Sequence, residues 1–250
     1  MDVRTLSATP NRRDLRRSNG HPPGDQDYVL QDVIRIYREI DVETIALRGV
    51  DLTVAPGEFV ALMGRSGSGK STLLNIMAGS DRPTAGRVLF RGRDLATVGD
   101  DERSRLRGSE LGIVYQSQNL APMLSLVENV RLSAWLAGRP LAASAAEHEL
   151  VRVGLGERLA HRPDQLSGGE QQRGALACVM AARPSVVLAD EITGELDSGN
   201  AELLLQLLRD SHIAFGTTIV LVTHDPAVAR TADRVVELRD GRVTGDRSLS

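Results

Sequence analysis

The sequence predicts an α/β fold built on a largely parallel central sheet. Three observations carry this. Phe59–Met63, Val186–Ala189 and Thr218–Val222 are short unbroken apolar runs, the pattern of strands buried on both faces. Helical patterns alternate with those runs, which is the order of a parallel α/β sheet. The first run also passes straight into a glycine-rich segment and then into the helical pattern Ser71–Met77.

Taken in order, residues 1–27 are polar and rich in Arg, Asn, Pro and Gly. They hold too little apolar material to offset the entropy of ordering, so the expectation is a disordered tail. A weak contact of its arginines with anionic lipid headgroups is the alternative. Val33, Ile34, Ile36 and Tyr37 read as a strand, and Ile45–Val54 alternates as another. Strands are also expected at Gly86–Arg91 and Leu111–Tyr115. Residues 125–160 lose the strand pattern. Leu126, Val130, Leu132, Trp135 and Leu136 have helical spacing, and Ser125 with Glu128 makes a capping box. This suggests an inserted helical subdomain over about 117–167. Helices follow at 168–183 and 199–210. Asp240-Gly241 between Val235–Leu238 and Arg242–Thr244 reads as a closing hairpin. There is no internal repeat. The globular part spans 28–246, and 247–250 is a short tail.

Composition narrows the function. With 30 basic and 33 acidic residues, the net charge of −3 lacks the basic footprint of a nucleic-acid binder. A single cysteine, Cys178, excludes an internal disulfide and a Cys-rich zinc site. No apolar run approaches the roughly 18 residues of a membrane span, and the N-terminus has no secretory apolar region. Lys70 is the only lysine, the other 29 basic residues being Arg. A lone ammonium in that background points to a site where a guanidinium fork does not fit.

That lysine closes the best phosphate-binding pattern in the chain. Gly64-Arg65-Ser66-Gly67-Ser68-Gly69-Lys70-Ser71 matches G-x-x-x-x-G-K-[ST], with a buried strand before it and a helix after it. Glycines let successive N–H groups curl round a phosphate, and the helix N-terminus aims its positive end at the same anion. Lys70 can reach the outer phosphates, and the Ser71 hydroxyl can ligate Mg²⁺. The apolar run Val186–Ala189 ends in Asp190 and Glu191, at the strand end where ligands of such sheets bind. Asp190 suits a Mg²⁺ partner, direct or through water. Glu191 suits a general base that polarises an attacking water. Leu166-Ser167-Gly168-Gly169-Glu170 offers a second anion-binding helix start, with Ser167 as its N-cap. One ATPase has no evident need of a second γ-phosphate reader, so this one points to the nucleotide of another subunit.

These residues together resemble the ATP-binding subunits of ABC transporters, from about Tyr28 to Asp246. Leu166–Glu170 is similar to that family's own signature. The resemblance implies a phosphate-loop ATPase with a mostly parallel core sheet, an antiparallel β subdomain and an inserted helical subdomain. It implies ATP and Mg²⁺ as ligands. Gly64, Ser66, Gly67, Ser68, Gly69, Lys70, Ser71 and Thr72 would hold the nucleotide, with Tyr37 stacked on adenine. Ser71, Gln116 and Asp190 would surround the metal, and Glu191, His224 and Gln116 would serve catalysis. Ser167, Gly168, Gly169 and Glu170 would meet the ATP of a second copy, and Asp197 belongs to the loop between them. Partners would be a second ATPase subunit and an integral-membrane permease. Contact with the membrane would run only through that permease, placing the chain in the cytoplasm on the membrane's inner face.

Within the family, the segment 118–122 (QNLAP) with Glu128-Asn129-Val130 is similar to the ATPases of macrolide exporters, lipoprotein-release machines and cell division. A cassette that signals through a permease without moving substrate is therefore the alternative to transport. A soluble cassette acting on ribosomes or DNA, and a regulatory module without turnover, fit less well. The chain has one signature and no heptads, and Glu191 and His224 are intact. Two positions depart from the family: Ile192 replaces the usual Pro, and Ala177-Cys178-Val179 replaces Ala-Arg-Ala. Cys178 and Trp135 are expected to pack in the interior. His21, His148, His161 and His212 match no motif.

Overall fold

The structure, a computed structural model, describes residues 26–39, 42–117, 119–194 and 196–249. The expected N-terminal tail lies outside these residues except for Gln26 and Asp27, and those two are buried. Asp27 accepts from Arg91 Nε at 2.7 Å and from the Thr218 hydroxyl. The boundary at 28 therefore moves back by two residues, because this carboxylate ties the backbone before β1 to both sheets.

Four strands form an antiparallel sheet in the order β2-β1-β4-β5: β1 Tyr28–Glu39, β2 Val42–Val54, β4 Ala85–Phe90 and β5 Arg93–Asp94. Six form the central sheet in the order β10-β9-β3-β8-β7-β6. They are β3 Phe59–Met63, β6 Leu111–Val114, β7 Val186–Asp190, β8 Thr218–Thr223, β9 Arg234–Arg239 and β10 Arg242–Ser248. All neighbours in this sheet run parallel except β10, which pairs antiparallel with β9. Strands β3, β7 and β8 are the three unbroken apolar runs, and all are buried through their lengths apart from Met63 and Asp190 at two ends. The expected C-terminal tail is corrected: Arg247 and Ser248 continue β10 opposite Val235 and Arg234, and the Leu249 N–H donates to Asp233.

Helix α1, Lys70–Met77, has only eight residues, too few to stand alone in water. It holds because Leu73, Leu74, Ile76 and Met77 are fully buried between the two sheets, about 1.5–3 kcal/mol each. On the other face of the central sheet, α5 Gly168–Ala182 and α6 Ser198–Phe215 pack with Phe59, Leu176, Leu204 and Leu221. The remaining helices are α2 Asp100–Ser109, α3 Leu126–Leu136, α4 Ala143–Arg152 and the single turn α7 Pro226–Ala229.

The helical insertion forms as expected, and its capping box is present: Ser125 N–H donates to Glu128 at 2.7 Å. Its core joins Leu126, Val130, Leu150 and Leu155 to Ala177, Cys178 and Ala181 of α5. Cys178 is interior, and burial pushes its thiol up to about 12. Trp135 is a correction, being 64% exposed. The stripe that faces inward is Leu126, Asn129, Val130 and Ala134, and Trp135 falls on the other side of α3 with Leu132 and Leu136. Asn129 was not foreseen as interior. Its side chain bonds the Ala121 N–H and the carbonyls of Ala121, Leu124 and Ser125, which shapes the turn into α3.

Candidate active site

The parallel register brings the ends of three neighbouring strands together. Met63 of β3 pairs with Thr223 of β8, and Asp190 of β7 pairs with Val222 of β8. The phosphate loop leaves the first, Glu191 follows the third, and His224 follows the second. Ligands of open parallel sheets bind beyond such carboxyl ends.

The loop is clamped from both sides. The Gly241 N–H of the β9–β10 turn donates to Ser68 O at 3.0 Å, and Arg48 N–H of β2 donates to Gly241 O at 2.8 Å. A Cβ on Gly64 would lie 2.3 Å from Leu238 O. Gly69 has φ 101°, and a Cβ there would lie 2.5 Å from Ala46 O. No side chain fits at either position, so the glycine spacing follows from close backbone approach as well as from phosphate binding.

Lys70 is only 4% exposed. Its ammonium donates to Gly64 O at 2.9 Å and Arg65 O at 3.0 Å, and lies 3.6 Å from Glu191 Oε1. The same Oε1 lies 3.5 Å from His224 Nδ1. Met63, Gly64, Arg65, Ser66, Glu191 and His224 line a cleft of about 500 Å³. Glu191 has φ 47°, a left-handed conformation that costs a non-glycine residue about 1 kcal/mol or more. Its N–H donates to Val222 O at 3.1 Å, and its carbonyl accepts from Gly194 at 3.0 Å. The strain aims the carboxylate into the cleft between lysine and histidine. Ile192, where the family's proline stands, is buried on the α5–α6 side of the sheet.

Asp190 lies near Ser71, whose hydroxyl favours the ionised carboxylate. Burial raises the Asp190 carboxyl above its ordinary value, Ser71 opposes the shift and Glu191 adds to it. Its Oδ1 is buried without a hydrogen-bond partner among the described residues. A hard cation prefers oxygen ligands, and this oxygen with the Ser71 hydroxyl supplies two. The residues present thus fit Mg²⁺. Thr72 follows in the first turn of α1.

Gln116 is exposed on the segment that leaves β6 at this same end of the sheet. Two residues that the motifs contain, but to which they assign no role, hold that segment. Asn119 accepts from Tyr115 N–H at 2.7 Å and donates to Tyr115 O at 2.6 Å, and Gln172 of α5 donates to Tyr115 O at 3.0 Å. Tyr37 stands on β1 opposite Thr44. That is two residues from Ala46, whose carbonyl faces Gly69.

The second helix start is separate. Ser167, Gly168 and Gly169 line neither the cleft above nor the neighbouring one of about 470 Å³ between the loop and the β9–β10 turn. Ser167 caps α5 with a full capping box: its hydroxyl accepts from Glu170 N–H at 3.2 Å, and its N–H donates to Glu170 Oε2 at 2.9 Å. The Ser167 N–H and then Arg158 hold the Glu170 carboxyl down at about 2. Asp197 caps α6 by accepting from Asn200 N–H at 3.0 Å. Asn200 also accepts from Arg173 of α5, so one side chain joins the two capped helix starts. Its part was invisible in the motifs, since no spacing rule marks it.

The family model described as "ABC transporter" matches residues 47–194. A lipoprotein-releasing system ATP-binding protein of Anaeromyxobacter dehalogenans is 49% identical over 220 residues, which is 87% of this chain and 92% of that protein. A macrolide export ATP-binding/permease protein of Hyphomonas neptunium is 48% identical over 87% of this chain but only 34% of its own length. The chain thus spans about a third of the macrolide-export relatives that it matches. A solved dimeric ATP-binding cassette in a post-hydrolysis state, bound to ADP and phosphate, superposes with TM-score 0.84 at 40% identity. That match covers 89% of this chain and 99% of the cassette.

Proposed function

Because this chain belongs to the ABC transporter family, we propose that it binds and hydrolyses ATP as a cassette that drives a membrane permease. The observation that carries this is the meeting of Lys70, Glu191 and His224 at the ends of three adjacent strands, 3.6 and 3.5 Å apart around one carboxylate oxygen.

The loop from Gly64 to Ser71, with Ser66, Gly67, Ser68, Gly69 and Thr72, cradles the phosphates through backbone N–H groups and the N-terminus of α1. Lys70 exchanges its bonds to the Gly64 and Arg65 carbonyls for phosphate oxygens. Ser71, Asp190 and Gln116 hold Mg²⁺, which when bound neutralises charge on the outer phosphates. Glu191 accepts the proton of the attacking water, while His224 orients Glu191 and the γ-phosphate. Tyr37 gives the base a surface to stack on.

The second helix start completes the site of another copy. Ser167, Gly168, Gly169 and Glu170 face the γ-phosphate held by a partner's loop, and Asp197 stands beside them. Two copies then close head to tail around two ATP molecules. The macrolide-export relatives are ATP-binding/permease proteins. For this chain, docking falls to the helical insertion and the Gln116 segment, on the inner face of the membrane. Among the described residues no helix is long and apolar enough to cross a membrane.

Glu191→Gln tests the reading. Removing a general base lowers the rate by roughly 10²–10⁴-fold. Phosphate release should fall by that factor, ATP binding should persist, and ATP should shift the protein to a dimer in size-exclusion chromatography. Unchanged turnover would remove Glu191 from the mechanism.

A further inference from the structure

The ring of Tyr37 is held more firmly than a bare stacking surface requires. Its hydroxyl donates to Asp81 Oδ2 at 2.8 Å. Arg35 Nε donates to the same oxygen at 2.9 Å, and Arg35 Nη2 lies 2.8 Å from Asp81 Oδ1. This is a two-pronged guanidinium–carboxylate pair, the geometry that fixes both partners. The guanidinium carbon sits 4.4 Å from the centroid of the Tyr37 ring. Arg35 and Tyr37 are two residues apart on β1, so they share one face of the strand. The side chains of the ion pair are only 23% and 22% exposed, which limits screening by water.

Asp81 connects this cluster to the phosphate site. The N–H groups of Ser80 and Asp81 donate to Asn75 O at 2.9 and 3.1 Å, closing the turn after α1. The other end of α1 carries Lys70 and Ser71. One short helix therefore holds phosphate ligands at its start and the anchor of the tyrosine ring just past its end. The clamp on Gly69 by Ala46, two residues from Tyr37's partner Thr44, sets the distance from the opposite side.

We infer that Arg35 and Asp81 are positioning residues for the nucleotide base: they lock the Tyr37 ring with its guanidinium-covered face inward and present the opposite face to a purine. This rests on the reading of Tyr37 as the base platform. The bound form is a three-layer stack of guanidinium, phenol and base. Fixing the ring beforehand removes the ordering cost that a mobile side chain meets on binding. Stacking reads the face of a base and not its edge, so the ligand class is a nucleoside triphosphate, with the larger purine face covering more of the ring.

Two probes separate base from phosphate: ATP and inorganic tripolyphosphate, each with Mg²⁺, titrated by calorimetry into the same protein. Base–aromatic stacking corresponds to roughly a 5- to 150-fold change in affinity. Tyr37→Ala should weaken ATP within that range and leave tripolyphosphate where it was. Arg35→Met and Asp81→Ala should each weaken ATP about 3- to 10-fold, again without touching tripolyphosphate. The double variant Arg35→Met with Tyr37→Ala should be no weaker than Tyr37→Ala alone, since Arg35 acts only through the ring. Arg35→Lys, a milder change, should fall between wild type and Arg35→Met and covers the case in which the methionine variant does not fold. If Tyr37→Ala weakens ATP while the Arg35 and Asp81 variants do not, the positioning role is overturned and the platform stands. If Tyr37→Ala leaves ATP binding intact, the platform itself falls. If ATP and tripolyphosphate weaken together in the Arg35 and Asp81 variants, these residues support the fold and not the base.

Discussion

The two helix starts proposed to meet nucleotide are built in opposite ways. At the start of α1, groups are strained or incomplete. Glu191 is left-handed, Asp190 Oδ1 and Ser68 Oγ are buried without partners among the described residues, and Lys70 rests on two loop carbonyls. At the start of α5, the side chains satisfy each other: Ser167 and Glu170 exchange bonds, and Arg158 neutralises Glu170. The first region gives up stability to stay ready for a ligand. The second is exposed and already stable, and no bond from the Gly168 or Gly169 N–H groups is formed among the described residues. On the proposed reading, a ligand held within one chain leaves its mark as local strain, and a ligand met between two copies leaves none.

Three substitutions break or sharpen that contrast. The largest effect is expected for Ser167→Arg. A bulky cation at the exposed helix start should reduce hydrolysis to background while a fluorescent ATP analogue still binds within about two-fold of wild type. Lost binding in the isolated chain would place Ser167 in the same-chain site and erase the distinction between the regions. Next is Asp190→Asn. Burial raises the carboxyl's folded value, so at neutral pH the ionised group destabilises the ligand-free fold, and that penalty fades as pH falls through the raised value. The amide should raise the Tm of the ligand-free protein, while Mg²⁺-dependent nucleotide binding is lost. A lower Tm would show that the buried Asp190 charge does not strain the α1 region. The smallest effect is a pH dependence at α5. Glu170 drops from its ordinary 4.5 to about 2, so its contribution is complete above pH 4.5 and is lost as pH falls toward 2. Glu170→Gln keeps the cap geometry but cannot titrate, so thermal melts of this variant should lose that part of the acid dependence.

Much of this was legible in the chain. The buried strands, the phosphate loop and the Ser125–Glu128 box are local patterns, and each is set by neighbours in sequence. What was missed depends on distant partners or on weak apolar signal. Helix α2 buries only Arg103 and Leu106, so no hydrophobic period announces it. Its three acids in the first turn and Arg107 in the last were the available sign. Asp27 looks like tail until Arg91 and Thr218, 64 and 191 residues away, close on it. Trp135 has helical spacing with two other apolar residues, but the stripe they form is the outer one. The strain at Glu191 belongs to the backbone after β7 and has no counterpart in residue type.

The lone lysine has a consequence of another kind. A protease that cuts only after lysine finds a single target in these 250 residues, and it lies inside the phosphate cradle. With Lys70 only 4% exposed, the loop must open before the bond can be cut. Scission into two fragments at that point therefore reports openings, local or global, that expose this one loop, with no cut elsewhere in the fold. The residue that marks the site in the sequence is also a built-in reporter of whether the site is closed.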